Sequence, residues 1–411
     1  MTARRLSATC CIAGGGPAGI MLGFLLARAG IPVVVLEKHA DFLRDFRGDT
    51  IHPSTLELMA ELGLDDAFLK LPHEKLVRVS GQFGDRPLVF ADFSRLPVRH
   101  PYTAIMPQWD FLNFLAEQGR RYPGFTLLME TTAEDFLYER DRIAGVKANA
   151  PDGPLEIVAD LVVAADGRHS VLRSRSGLPL VDLGAPMDVL WFRLSRRPDD
   201  SRETIGRFAP GRLLVRINRG DYWQCALVIP KGGADDLRQR GLDAFRRQVG
   251  ALLPWAESRI TLDVRSWDDV KLLDVRVDRL RQWYRSGLLL IGDAAHAMSP
   301  IGGVGINLAI QDAVAAANIL WQPLRDKQLE THHLAAVQQR REWPTRATQQ
   351  LQVIVQNRVI RPALSAEAPL RPPLLLRLAA SIPMLRGLTA RLVGLGLRPE
   401  HIGSPELPPA L

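Results

Sequence analysis

Cysteine is scarce, with three residues in 411, at positions 10, 11 and 225. Cys10 and Cys11 are neighbours in a predicted strand, where successive side chains point to opposite faces, so a disulfide between them is not expected. Cys225 stands alone. This count excludes a disulfide framework and a zinc site, and it points to a reducing cytoplasm. Long apolar runs are also missing: no segment reaches the roughly eighteen uninterrupted apolar residues of a membrane span. The closest, Cys10 to Leu36, is broken by Gly14, Gly15, Gly16, Pro17, Arg28 and Pro32. No apolar core with a cleavage site follows Arg4 and Arg5, so no signal peptide is expected. Charge lacks blocks: the formal net charge of +7 comes mainly from scattered arginines, and no nucleic-acid motif accompanies them. With 46% hydrophobic and 24% charged residues, the composition is that of a soluble globular protein. The length allows roughly two or three domains. Finally, no Ser-His-Asp set, metal cluster or obvious paired carboxylate emerges from the sequence.

What is present begins at once. Residues 8–13 read as an apolar strand, and a helix from about Pro17 to Ala29 is stopped by Gly30. Ile31 to Glu37 is a β-branched run typical of a buried parallel strand. Between the first strand and the helix, Gly14-Gly15-Gly16-Pro17-Ala18-Gly19 fits the G-x-G-x-x-G pattern, and Glu37 ends the next strand. Gly14 permits the tight turn, Gly16 lets backbone approach a pyrophosphate, and Gly19 allows close packing of helix on strand. The helix N-terminus offers unpaired N–H groups to phosphates, and Glu37 is placed to accept from adenosine ribose hydroxyls.

Farther along, a helix is predicted from Trp109 to Arg121. Strands are predicted over Phe125 to Tyr138, Arg142 to Ala148 and Leu161 to Ala165. A stretch from about Leu183 to Asp268, rich in alternating and aromatic residues, reads as an antiparallel sheet in a separate layer. Leu288 to Ile291 resumes the nucleotide fold and leads through a glycine-rich turn into a helix from about Gly305 to Leu320. The last seventy residues read as helical, then leucine-, arginine- and proline-rich. A helix packed across the domain surface is favoured there over a membrane-touching amphipathic tail.

Two further segments follow buried strands: Ala-Asp-Gly-Arg-His-Ser-Val-Leu-Arg at 165–173 and Gly-Asp-Ala-Ala-His-Ala-Met-Ser-Pro-Ile-Gly-Gly-Val-Gly-Ile-Asn at 292–307. With the N-terminal turn they resemble, in order and spacing over roughly residues 8–345, the three signatures of the class A flavoprotein monooxygenases, the para-hydroxybenzoate hydroxylase-like family. The resemblance implies an α/β fold: a Rossmann-like FAD-binding domain, an interleaved antiparallel-sheet substrate domain and C-terminal helices. The expected division is an FAD-binding part over 1–182, with substrate-domain strands near 75–105. A substrate domain over 183–285, a second FAD-binding part over 286–345 and a helical segment over 346–411 complete it.

Residue by residue, the resemblance places FAD against Gly14, Gly16, Pro17, Ala18, Gly19, Glu37 and Lys38. Arg47 matches an arginine near the flavin, Gln108 a glutamine that contacts FAD, and Ala133 a backbone contact to the adenine. Asp166, Gly167, Ser170 and Arg173 match the D-G-x-x-S-x-x-R signature, linked to FAD and pyridine nucleotide. Asp293 matches the aspartate on the ribityl chain. Gly302, Gly303, Val304 and Gly305, with Ile306 and Asn307, match the segment beside the flavin ring, and Pro300 lies at the reactive edge. Val304 departs from the glutamine of many members. Pro300 and Arg47 are the expected catalytic positions. Trp191, Phe192, Phe208, Tyr222 and Trp223 are the candidate substrate contacts, preferred over Arg193 and Arg216. His296 is expected to be structural and His169 to sit on an exposed turn. His52 is weighed equally between the flavin and packing beside Pro53, and Asp49 between a helix cap and the loop.

The activity implied is hydroxylation of a small aromatic or quinone-like substrate with dioxygen. NAD(P)H, as NADPH or NADH, reduces FAD, and a flavin C4a-hydroperoxide transfers oxygen. Because no second G-x-G-x-x-G occurs, the nicotinamide is expected to bind transiently. A reductase or dehydrogenase of the same fold without oxygen insertion is the alternative, and a homodimer is the assembly considered.

Overall fold

The β-branched and apolar runs at the N-terminus form the centre of a sheet because both of their faces are covered, one by helices and the other largely by antiparallel strands. The computed structural model describes residues 4–43, 50–84, 86–368, 372 and 374–407. The strand Arg4–Ala13 pairs in parallel with Val33–Leu36 on one side and with Gly153–Ala164 on the other. Phe125–Leu128 and Leu288–Leu290 extend the parallel order outward, and Tyr284–Arg285 closes one edge antiparallel. Gly153–Ala164 is twelve residues long, much longer than the apolar run at its end. Its first half pairs antiparallel with Arg142–Ala150, which pairs in turn with Thr132–Glu139. The helices Pro17–Arg28, Gln108–Arg120 and Gly305–Arg325 bury their apolar sides on one face of the parallel strands. The antiparallel strands, Leu172 and Trp283 cover the other. Gly305–Arg325 is the one described helix long and apolar enough to span a membrane by composition, and most of it is buried in this core.

A second sheet has seven strands: Lys271–Leu273, Met187–Ser195, Tyr222–Pro230, Arg212–Asn218, Ile205–Ala209, Arg78–Phe83 and Arg86–Asp92, in that order. All neighbours are antiparallel except Ile205–Ala209 with Arg78–Phe83. Alternation divides its side chains between two cores. The outer face meets the helices Ala234–Gln239, Leu242–Leu252 and Glu257–Asp263 through Leu190, Phe192, Leu194, Trp223 and Cys225. The inner face carries Val189, Trp191, Phe208, Leu213 and Val228, and joins Ile301, Ile360 and Ala363.

The C-terminal helices bind the two sheets together. Thr331–Val355 continues through a π-helical turn, Gln356–Ile360, into Arg361–Ser365. Pro383–Gly394 packs on Ala91, Phe93 and Leu96 beside the second sheet. The tail therefore lies across the protein surface, as expected, with Leu374, Met384 and Leu388 on its exposed side. Beneath it runs a buried polar network. Arg341, 1% exposed, donates from Nε to Asp312 at 3.1 Å and from a terminal nitrogen to Glu400 at 3.1 Å. Asp312 also accepts from His296 Nε2 at 2.6 Å and from the Gly292 N–H at 3.0 Å. Burial pushes the Asp312 carboxyl up, but His296 and Arg341 outweigh it and hold the group below the usual carboxylate range.

Arg341→Met would leave Asp312 and Glu400 buried without their shared cation. A loss of about 3–5 kcal/mol is expected, read as a lower midpoint in urea unfolding; an unchanged midpoint would contradict the role assigned to this network.

Candidate functional site

Four parallel strands end side by side, and the chain turns that follow them converge. The Gly14 N–H donates to the Leu36 carbonyl at 2.8 Å, Ala165 N–H to Ala13 at 2.8 Å, and Ile291 N–H to Ala164 at 3.1 Å. Ligands of open α/β sheets bind beyond such strand ends. Gly14 has φ +108°, and a Cβ there would lie 2.4 Å from the Ala165 carbonyl oxygen, so no other residue fits. A Cβ on Gly19 would lie 1.9 Å from the Gly14 oxygen. A Cβ on Gly16 meets nothing within 4 Å. That open space lies at the start of Pro17–Arg28, whose N-terminus has no side-chain cap and no acidic residue in its first turn. Backbone N–H groups are thus presented, with the positive helix end, to open space.

Further polar groups surround this turn. Glu37 ends the second strand with its carboxylate on the N–H groups of Gly15 and His39, each at 3.1 Å. Ala18 is buried against the turn at Gly292, and Lys38 is exposed. Thr131 N–H donates to the Glu37 carbonyl, which brings Ala133 beside this strand end. Asp166 follows the third strand with Gly167. It caps the helix Val171–Ser176 through Val171 N–H at 2.9 Å, and Ser170 Oγ accepts from Arg173 N–H at 2.9 Å. Burial raises the Asp166 pKa against these hydrogen bonds. Arg173 pairs with Asp278 at 3.2 Å.

Asp293 sits in the turn after Leu288–Leu290 and accepts from Arg168 at 3.0 Å. This pair joins the second and third sequence signatures. Arg168 occupies a variable position of its signature and was not singled out by sequence. Its other terminal nitrogen is buried without a partner among the described residues. A polar ligand atom at Asp293 would sit within this pair, which fits the ribityl hydroxyls of FAD.

The turn expected beside the flavin is built from two left-handed glycines, Gly302 (φ +79°) and Gly303 (φ +63°), ahead of the uncapped helix Gly305–Arg325. A Cβ on Gly303 would meet Thr50 Oγ1 at 2.5 Å, where Thr50 donates to the Gly303 carbonyl at 2.9 Å. Ile306 turns into the core. Asn307 has its side chain fully engaged: Nδ2 donates to Thr50 O at 3.1 Å, and Oδ1 accepts from His52 N–H and Thr55 Oγ1 at 2.9 and 2.8 Å. The Asn307 side chain is thus committed within the protein, which leaves its backbone as the group it can offer to a cofactor. Gln108 starts its helix three residues after the strand Thr103–Ile105, which pairs with Thr50–Ile51, so it borders the same turn. Arg47 and Asp49 lie outside the described residues.

Pro300 and its neighbours are held from behind. Gln352 accepts from Ser299 N–H at 3.1 Å and donates to the Ser299 and Ile301 carbonyls, each at 3.0 Å. Gln356 donates to Ser299 Oγ at 2.8 Å, and Gln349 to the carbonyls of Asp278 and Ala297. These buried glutamines share one helical face at i, i+3 and i+7. Sequence reasoning missed them because polar residues at that spacing usually face water.

The aromatic candidates divide by strand parity. Trp191 and Phe208 lie on the inner face, with Phe208 stacked on Phe83 at 4.2 Å. Tyr222 shares that parity and carries the Arg193 guanidinium 4.9 Å above its ring. Phe192 and Trp223 are corrections: both are 0% exposed on the opposite face, where Phe192 packs on Phe245 and Trp223 on Trp255. They cannot touch a substrate on the inner side. His296 belongs to the buried Asp312 network. His52 is also buried, its Nδ1 2.8 Å from the Val393 carbonyl.

Gly16→Val should leave apoprotein stability within about 1 kcal/mol, since its Cβ meets open space, while abolishing FAD binding in a fluorescence titration. Loss of fold, or FAD bound as in the parent, would count against the cradle. Asp293→Ala should purify without flavin absorbance, and a stoichiometric flavin spectrum in that variant would sink the assignment. Burial lowers the His52 pKa to about 4, below the roughly 6.5 of an unfolded histidine. Between those values the unfolded chain binds a proton that the folded chain excludes. Stability should therefore fall by up to about 3 kcal/mol as pH drops through that window, and His52→Asn should flatten this slope in urea unfolding.

Comparison with known proteins agrees with this geometry. Residues 7–351 match the family described as FAD binding domain. The chain is 35% identical over 364 residues to 6-methylpretetramide 4-monooxygenase of Streptomyces rimosus, covering 88% of this chain and 86% of that one. In fold it is similar to a probable FAD-dependent monooxygenase from Pseudomonas aeruginosa, with TM-score 0.71 and 24% identity over 87% of this chain and 98% of the other. The anhydrotetracycline hydroxylase OxyS of Streptomyces rimosus gives TM-score 0.71 at 21% identity, over 95% of this chain and 76% of that one. The chain belongs to the FAD-binding family of aromatic monooxygenases and is a flavin-dependent oxidoreductase.

Proposed function

We propose that this enzyme hydroxylates a phenol-like aromatic substrate, with NAD(P)H as reductant and dioxygen as the source of the inserted oxygen. The observation that carries this reading is the position of Ile301. It follows Pro300 at the flavin-side turn and packs into the inner face of the second sheet, with Trp191, Phe208 and Val215. An aromatic-lined apolar roof therefore stands over the segment expected to hold the flavin ring.

Bound FAD would supply the redox chemistry, passing electrons from the nicotinamide to dioxygen. The chain's own residues bind and orient. The open space at Gly16 and the adjoining helix end take the pyrophosphate, and Glu37 the adenosine ribose. Asp293 and Arg168 take the ribityl hydroxyls. The uncapped N-terminus of Gly305–Arg325 places backbone N–H groups and a partial positive charge beside the turn, which favours negative charge on the ring. The roof excludes water, which protects oxygen transfer from loss as peroxide. Trp191 and Phe208 offer ring faces to an aromatic substrate. The relative named as a 6-methylpretetramide 4-monooxygenase supports a polycyclic phenol among the candidates. The nicotinamide nucleotide would visit transiently, because the chain has no second glycine-rich nucleotide turn.

The test follows NAD(P)H and oxygen consumption by the FAD-loaded protein against simple phenols, anthranilates, quinone precursors and polycyclic phenols. One compound should raise both rates by about tenfold and yield a product one oxygen heavier, labelled when heavy-isotope dioxygen is used. NAD(P)H oxidation with no oxygenated product from any of these would favour a reductase of the same fold.

A further inference from the structure

The outer face of the seven-stranded sheet holds a separate cavity of about 210 Å³. Strand register explains its lining. Arg207 pairs opposite Leu214 and Ile205 opposite Arg216, so all four point away from Phe208 and Val215 on the substrate side. Gln82 lies opposite Arg207 on the next strand, and Leu253 and Trp255 close the cavity from the helical side.

The charge here is unbalanced. The Arg216 guanidinium lies 4.9 Å from the Trp223 ring centroid and 5.3 Å from that of Trp255. Its buried Nε has no acceptor among the described residues. Asp200, the carboxylate of this cluster, is already held by Arg259 at 2.6 and 2.7 Å and by Trp223 Nε1 at 3.2 Å. Burial lowers the Arg216 pKa against the pull of Cys225, Glu203 and Asp200, and the charge of Arg207 acts with burial. No carboxylate pairs directly with this half-buried guanidinium among the described residues, and an orphaned buried donor calls for a partner. A carboxylate matches the guanidinium fork. Ile205, Leu214, Leu253 and the Trp255 ring form the remaining walls, which suit an apolar body rather than a free inorganic ion.

We infer that this outer-face cavity binds a small organic carboxylate, its acid group between Arg207 and Arg216 and its apolar part on Leu253 and Trp255. The site lies across the sheet from the proposed substrate roof and shares two strands with it. An occupant would brace the strands that carry Phe208 and Val215.

The experiment titrates the FAD-loaded protein with hexanoate, read by calorimetry and by tryptophan fluorescence, with inorganic phosphate as the anion-only probe. Saturable binding at one site per chain is expected, with phosphate at least about tenfold weaker (1.4 kcal/mol). Arg207→Ala and Arg216→Gln should each weaken hexanoate by about tenfold or more. Arg207 is half-buried and enters no ion pair among the described residues, so its variant keeps the fold if Arg216→Gln does not. Hexanoate binding unchanged in Arg207→Ala, phosphate binding as tight as hexanoate, or no saturation by about 10 mM would each overturn the inference.

Discussion

A backbone contact that only glycine permits sets the position of everything around the cofactor cradle. The first turn of the helix Pro17–Arg28 rests on the carbonyl of Gly14, so closely that a single methyl on Gly19 would overlap it. Gly14 in turn lies against the carbonyl of Ala165, where the neighbouring strand ends. Helix, first strand and third strand are thereby locked at van der Waals distance. The free end of the helix can then point only along the strand ends, toward Glu37 and Asp293. Packing here is function: a looser fit would leave the helix dipole aimed elsewhere.

The second constraint is what holds the turn at Gly302 and Gly303. Two left-handed glycines let the chain reverse beside Thr50, but a turn of that kind has little stiffness of its own. Stiffness comes from two sides. Asn307 ties Thr50, His52 and Thr55 to the helix that the turn begins. Gln352 and Gln356 grip Ser299 and Ile301 from the C-terminal helix. The same helix carries Arg341 into the network of Asp312 and His296, which stands beneath the Gly292 turn. The C-terminal segment thus braces the nucleotide fold rather than merely covering it.

Much of this was legible in the sequence, and the reasons are specific. Gly14, Gly16 and Gly19 occupy positions with three different steric demands, and their spacing between two apolar strands conveys that arrangement directly. The α/β fold with an interleaved antiparallel sheet followed from hydrophobic period and motif order. What stayed hidden depends on long-range contact. Adjacent Trp191 and Phe192 must face opposite ways, but sequence alone does not say which side is covered; the helices from Ala234 to Asp263 decide it by burying Phe192 and Trp223. The full strand Gly153–Ala164 was shortened in the reading because its first half is polar on one face. The glutamines of the C-terminal helix looked solvent-facing, since only tertiary structure shows which backbone groups they satisfy. Arg168 was passed over because its value lies in reaching Asp293 across more than a hundred residues.

The most direct test of the whole account is the visible spectrum of the purified protein, with flavin released and counted per chain after incubation with FAD. The converging strand ends and open Gly16 cradle predict flavin absorption bands and one FAD per chain. A folded protein that holds no flavin after reconstitution would contradict the account at its centre.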